Sequence, residues 1–195
     1  GLARPGGEAP HIHRVEAVDV LVGVDRGDDL LLRELDCAVL NLGLNETTLQ
    51  GLIEETKDER FALDTYRRFL AQFGATVLGV QKKSFDEILQ KAMQMANVEH
   101  DSKLSVPGLR EICAEYRQII EQETGHPMVD DPWEQLNAAI TAVHRSWMSE
   151  RALEYRKTHG IPERLGTAVV VQSMVFGNSG DDSGTGVVFS RNVAT

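Results

Sequence analysis

Cysteine is scarce in this chain: there are two in 195 residues, Cys37 and Cys113, with no Cys-x-x-Cys spacing. That pattern offers neither a disulfide framework nor a cysteine-based metal motif. Cys113, on the apolar face of a predicted helix, reads as a small buried hydrophobe in a reducing compartment. An excess of positive charge is missing too. Lys and Arg total 20 against 30 Asp and Glu, a formal net charge of −10. Such a chain does not attract phosphate backbones, which argues against general nucleic-acid binding. An anionic ligand would need a local site of backbone amides, a few Arg or Lys, or Mg²⁺. No apolar run approaches the length of a membrane span. The opening GLARPGGEAP lacks the apolar stretch of a secretory signal, and there is no internal repeat or low-complexity segment. What is present is ordinary for a globular protein: 42% apolar and 26% charged residues, in a chain long enough to bury a core. The chain opens without Met and ends on Thr195 straight after a strand-like run, so it reads as a piece of a longer protein.

Residues 1 to 36 are the least legible. VDVLVGV (18–24) suits a short buried strand. DLLLRELDCAVL (29–40) fits helix or strand, because short apolar runs are ambiguous by period. His11 and His13 form a His-x-His pair with no third ligand in sight and read as a solvated end. From Asn41 onward the punctuation is clear. Asn45 caps a predicted helix over 46–55. Another runs from Glu59 to Phe73, with Ala62, Tyr66, Phe69, Leu70 and Phe73 on one face and Gly74 as its stop. Ser84-Phe-Asp-Glu87 has the form of a capping box, followed by a stripe of Phe85, Ile88, Leu89, Ala92 and Met93. Ser105 opens a helix that turns Leu109, Ile112, Cys113, Tyr116, Ile119 and Ile120 inward and stops at Gly125 and Pro127. Asp131-Pro132-Trp133-Glu134 is a strong start signal: Asp caps, Pro fits the first helical position, and Glu suits the positive end of the dipole. Trp133, Leu136, Ile140, Val143 and Trp147 share the predicted inner face. Ser149 caps a last helix to His159, closed by Gly160 and Pro162.

After Pro162 the period changes. Thr167 to Phe176 is Val-rich, and Gly186 to Ser190 is a second strand-like run. On alternating positions Ala168, Val170, Gln172, Met174 and Phe176 lie on one face. Gln172 is then the one strongly polar side chain on an apolar face, and a buried amide needs a partner, either neighbouring backbone or a ligand. The loop between the runs, 177–186, holds four glycines with Ser and Thr. Such a loop can turn backbone amides toward an anion, but its spacing matches neither a Walker A sequence nor a dinucleotide fingerprint. Asp181 and Asp182 would repel a phosphate unless a cation intervenes. A plain hairpin loop and an anion loop both remain open on these residues alone.

Five stretches carry a resemblance: VLNLGLN (39–45), ERFALDTYRRF (59–69), DPWEQLNAAITAVHRSW (131–147), RALEYRKTHGIPERLGTAVVVQSMVFGN (151–178) and DDSGTGVVFSRN (181–192). In order and spacing they resemble the pyruvate, phosphate dikinase family, in its N-terminal nucleotide-binding domain, over residues 39 to 195. That family converts ATP, phosphate and pyruvate into AMP, diphosphate and phosphoenolpyruvate with Mg²⁺. A phosphohistidine on a central swivelling domain carries the phosphoryl group between two remote sites. The resemblance implies an α+β fold: a mostly helical subdomain over about 46–160, then the first strands of an incomplete ATP-grasp-like nucleotide-binding sheet, as a strand-loop-strand over 166–191. Residues 1–38 then stand apart as an atypical, disorder-prone N-terminal segment. Gln172 and Thr185 match positions that line the nucleotide site, with Gly184 and Gly186 flanking Thr185 near the phosphates. Arg151 matches an Arg on the face that meets the phosphohistidine domain. Arg67 and Arg68 read as salt-bridged helix-surface residues.

The chain also departs from the family pattern. LLRELDCA stands where a Gly- and Arg-rich word ending in a Met-Pro-Gly-Met-Met-like run is expected. Val170 replaces an expected Asn, and Val193 an expected Pro. The acidic Mg²⁺ ligands, the phosphohistidine and the pyruvate-side Cys all lie outside this chain. The resemblance therefore implies part of an ATP-binding domain that is inactive alone, with ATP, the phosphohistidine domain and a homodimeric parent as partners, and neither nucleic acid nor membrane. Its setting would be the cytoplasm, or a plastid or other organelle. The alternative is a non-catalytic helical interaction module derived from that domain.

Overall fold

The computed structural model describes residues 38–178, 183, 184 and 186, together with the backbone of 18–23. Three strands, β1 (Val18–Gly23), β2 (Val39–Leu42) and β3 (Ala168–Ser173), form one antiparallel sheet in the order β2-β1-β3. The strand expected at 18–24 is thus the centre of the sheet. Pairing between β1 and β2 slips where Val18 opposes Leu42 but Val20 opposes Val39. This bulge coincides with Asn41 at φ +60, a left-handed conformation that Asn tolerates. His11, His13, Cys37, Thr185 and most of the second strand-like run, 187–190, lie outside the described residues.

Six helices connect β2 to β3: α1 (Glu46–Thr56), α2 (Glu59–Thr76), α3 (Lys82–Met95), α4 (Val106–Thr124), α5 (Pro132–Ser146) and α6 (Glu150–His159). The expected caps sit where local chemistry puts them. Asn45 accepts the Thr48 amide at 2.9 Å while the Thr48 hydroxyl accepts the Asn45 amide at 2.8 Å, a reciprocal box. Ser105, Asp131 and Ser149 cap α4, α5 and α6, and Gly125 and Gly160 end α4 and α6 with left-handed φ. The chain is therefore α+β, mostly helical with one small sheet.

Two expectations fail for reasons of packing. Gly74 does not end α2, which runs on to Thr76. Gly74 instead lets the Phe85 ring come close: a Cβ there would lie 2.5 Å from Phe85 Cζ. Ser84 does not open α3, which starts at Lys82 with Gln81 as its cap residue. The cap comes from elsewhere in the fold. Glu123, at the end of α4, accepts the Gln81 amide at 3.1 Å and the Ser84 hydroxyl at 2.6 Å.

The core lies among the helices and under β2. Leu42, Leu44, Leu63, Phe69, Leu70, Phe73, Phe85, Leu109, Ile112, Tyr116 and Ile120 are all buried there. Helices α2 and α5 pack against the sheet. The outer edge of β2 is finished by a side chain: Gln72 accepts the Leu40 amide at 3.2 Å and donates to the Ala38 carbonyl at 2.8 Å.

Arg67 and Arg68 are salt-bridged as expected, though only Arg68 lies on the surface. Arg67 is buried, and both reach the same two carboxylates. Asp64 meets Arg67 at 2.6 Å and Arg68 at 2.9 Å, and Asp101 meets them at 2.9 and 3.0 Å. Burial alone would push the Asp64 carboxyl up, but the two guanidiniums outweigh it and hold its pKa below the ordinary value. A lowered folded-state pKa contributes stability that is present above the unfolded value and lost as pH falls through the folded one. Between about pH 4 and about pH 2, wild type should therefore lose more unfolding free energy than Asp64→Asn. Urea titrations at the two pH values check this, and parallel loss in both proteins would contradict it.

Candidate functional site

The expected nucleotide strand is β3, and it is formed. Its register is fixed by β1: Val18 opposes Ser173, Asp19 opposes Gln172, and Gly23 opposes Ala168. Gln172 is exposed, not buried. The face on which it lies is uncovered at Ala168 and Val170, and only Met174 and Phe176 are half-buried. Val170 and Val171 are 46% exposed and Val175 89%. β3 stands at one side of the sheet, with half-buried Val169 and Phe176 packed on the core. Phe176 meets the Phe61 ring edge-on with centroids 5.2 Å apart, which pins the strand's exit to the start of α2. The Gln172 amide is therefore open to solvent, so no burial demands a partner for it.

Gly184 and Gly186 are both exposed, and a Cβ built on either meets nothing within 4 Å. Close packing by the described residues therefore does not require glycine at these positions. Arg151 is exposed in the first turn of α6. Among the described residues no three His, Cys, Asp or Glu side chains cluster to hold a metal ion.

The fully buried glutamine of this fold is Gln135. Its Oε1 accepts the Gly43 amide at 2.8 Å, and its Nε2 donates to the Leu44 carbonyl at 3.0 Å and the Val129 carbonyl at 2.8 Å. One amide thus ties the turn after β2 to the loop before α5. Its signal in sequence is the four-residue spacing of Gln135, Ala139 and Val143, the side of α5 that turns inward. Trp133, expected inside, is 46% exposed. Cys113 is buried as expected, and burial pushes its thiol up to about 12, which keeps it protonated and unreactive.

Among the described residues, two of the cavities open on the helices. One, of about 320 Å³, lies among α1, α2 and α4, with Leu49, Ile53, Leu63 and Tyr66 in its lining. Arg117 at its side donates to the Tyr66 hydroxyl and is paired with Asp130 at 2.8 Å, so its charge is compensated. The other, of about 440 Å³, lies along α6 and the segment to Glu163. Arg156 lines it, a residue the sequence did not single out although its four-residue spacing from buried Ala152 marks the inner face of α6. Neither cavity is lined by Gln172, Gly184, Gly186 or Arg151.

These elements make a mostly helical α+β partial domain in which most of β3 is exposed. The chain belongs to the pyruvate phosphate dikinase family: the family model described as "Pyruvate phosphate dikinase, AMP/ATP-binding domain" matches residues 38–195. It is 46% identical over 157 residues, 80% of its length, to pyruvate, phosphate dikinase of Rhizobium meliloti (strain 1021), of which it covers 18%. It is 43% identical over 176 residues, 90% of its length, to the chloroplastic enzyme of Mesembryanthemum crystallinum, covering 18% of it. It is 42% identical over 172 residues, 88% of its length, to that of Giardia intestinalis, covering 20% of it. The chain thus spans about a fifth of the length of these relatives. Among the described residues no helix is long and apolar enough to cross a membrane.

Proposed function

We propose that this chain forms part of the ATP-binding domain of a pyruvate, phosphate dikinase. The observation that carries this reading is the family match over 38–195, whose description names AMP and ATP. In this reading Gln172 contacts the nucleotide from β3, Thr185 approaches it from the loop, and Gly184 and Gly186 let the loop backbone come near the phosphates. The exposed amide of Gln172 and the open space at the two glycines support it. The parent reaction would phosphorylate a histidine with ATP on the way from pyruvate to phosphoenolpyruvate. Mg²⁺ would be held by residues outside this chain, and Arg151 on α6 would meet the phosphohistidine domain of a homodimeric parent. The division at residue 38 belongs to the same reading, as does a cytoplasmic setting with a plastid as alternative, since chloroplastic proteins stand among the relatives.

Phosphoryl transfer depends on positioning and on charge neutralisation by metal and cationic side chains. A chain without the Mg²⁺ carboxylates should not catalyse it. The isolated chain is also expected to bind ATP weakly: calorimetric titration with ATP and Mg²⁺ should show affinity in the millimolar range or weaker, and a Mg²⁺-dependent micromolar affinity would overturn that expectation. The family role itself is tested by the flanking coding sequence, which should supply a Met-Pro-Gly-Met-Met-like word upstream and the phosphohistidine domain downstream.

A further inference from the structure

We propose that the cavity along α6 binds a small organic carboxylate through the guanidinium of Arg156. This inference does not rest on the nucleotide reading, whose residues lie elsewhere. Arg156 is 3% exposed. Its Nη1 donates to the Trp147 carbonyl, and its guanidinium carbon lies 4.0 Å from the Trp147 ring centroid. The other edge, Nε and Nη2, is buried and has no hydrogen-bond partner among the described residues. Those two nitrogens are the parallel donors with which an arginine grips a carboxylate through both oxygens. A buried cationic edge without acceptors is costly, so two acceptor oxygens are what the arrangement lacks.

The cavity beside it has room for such a ligand. Its volume of about 440 Å³ lies in the range of small-molecule sites, with Leu153 and Ile161 as apolar walls. Lys157 adds a second cation to the lining, while Glu150, Glu154 and Glu163 add carboxylates, none of them bonded to the Arg156 fork. Those three acids decide the ligand class. A dianionic phosphate would meet all their repulsion and find no use for the apolar walls. A monocarboxylate carries less charge past them and lays its hydrocarbon on Leu153 and Ile161. Because Nε and Nη2 are shielded from water, entry shifts the side chains that cover them, and the indole stacked on the guanidinium senses the change.

Trp147 provides the readout. The chain has two tryptophans, so Trp133→Phe leaves Trp147 as the sole emitter. Titrated with isobutyrate, this variant should show a saturable change in emission, with phosphate at least ~10-fold weaker and chloride without effect. Adding Arg156→Lys, which keeps the charge and loses the fork, should weaken isobutyrate binding at least ~10-fold. Glu163→Gln should tighten it. An emission that ignores isobutyrate, follows chloride equally, or saturates more tightly with phosphate overturns the proposal, as does unchanged binding in Arg156→Lys. If far-UV circular dichroism shows that Arg156→Lys does not fold, the Arg156 Nε–H resonance of the wild-type chain decides. A shift on adding isobutyrate supports the site, and a fixed resonance refutes it.

Discussion

Gln135→Met is expected to destabilise the chain by about 3–5 kcal/mol, the largest effect of any single substitution proposed. The methionine keeps the length and the packing volume, so the loss isolates the amide. Removing it strands the Gly43 N–H and the Leu44 and Val129 carbonyls, all three bonded to a side chain that is 0% exposed. Leu44 is buried while Gly43 and Val129 are half-buried, so of the roughly 1–3 kcal/mol that each stranded group costs the latter two sit at the low end, and partial relaxation keeps the total below the full sum. Against a typical domain stability of about 5–15 kcal/mol, this is enough to leave a sizeable unfolded population at moderate temperature. Gln72→Met is the internal comparison. Gln72 is half-buried and makes two such bonds, to Leu40 and Ala38, so its loss should be about 1–2 kcal/mol. Urea denaturation of the three proteins measures both numbers. A loss under about 1 kcal/mol for Gln135→Met would mean that water or a local shift satisfies the stranded groups.

The contrast between Gln135 and Gln172 shows where the sequence was readable. Helix starts and stops were legible at Asn45, Ser105, Asp131, Ser149, Gly125 and Gly160, because cap and capped amide lie within one turn of each other. Start signals failed where the partner came from afar. Ser84 answers to Glu123, 39 residues on, and no local pattern encodes that. For α5 the helical period leaves the inner face ambiguous by about one residue, so pattern alone points to Trp133 as an inner residue and does not mark Gln135. For β3 the alternation was real, yet period says only that residues share a face, not that anything covers it. Gln172 is exposed because no described residue covers its part of β3.

The family words, by contrast, carried the functional reading far better than the geometry of single residues. ERFALDTYRRF folds into the ion-paired stretch of α2, and VLNLGLN forms β2 and the turn that Gln135 holds. Both words serve the scaffold. In RALEYRKTHGIPERLGTAVVVQSMVFGN, buried Arg156 and exposed Arg151 lie in one helix, so a word of this kind mixes scaffold and surface. Separating the two took the burial of each residue, which a single sequence does not contain.

Gly74→Ala is the second large effect, and its sign runs against helix propensity. Position 74 lies inside α2, where Ala normally stabilises by about 1 kcal/mol over Gly. Here the new Cβ would sit 2.5 Å from Phe85 Cζ, 3.1 Å from Phe85 Cε2 and 3.4 Å from Ile120 Cδ1. The Phe85 ring has little room to retreat. It is 1% exposed and lies edge-on to Tyr116 at 4.9 Å, while the Tyr116 hydroxyl holds the Phe85 carbonyl at 3.0 Å. Overpacking of this kind costs about 1–3 kcal/mol beyond the propensity gain, so a net loss of about 2 kcal/mol is expected. The mechanism has a sharper signature than the loss itself. In a Phe85→Leu background, where the ring is gone, the same Gly74→Ala change should become neutral or stabilising by up to about 1 kcal/mol. A double-mutant cycle in urea reads the coupling directly. If Gly74→Ala costs the same with and without the Phe85 ring, close approach is not the reason glycine occupies that position.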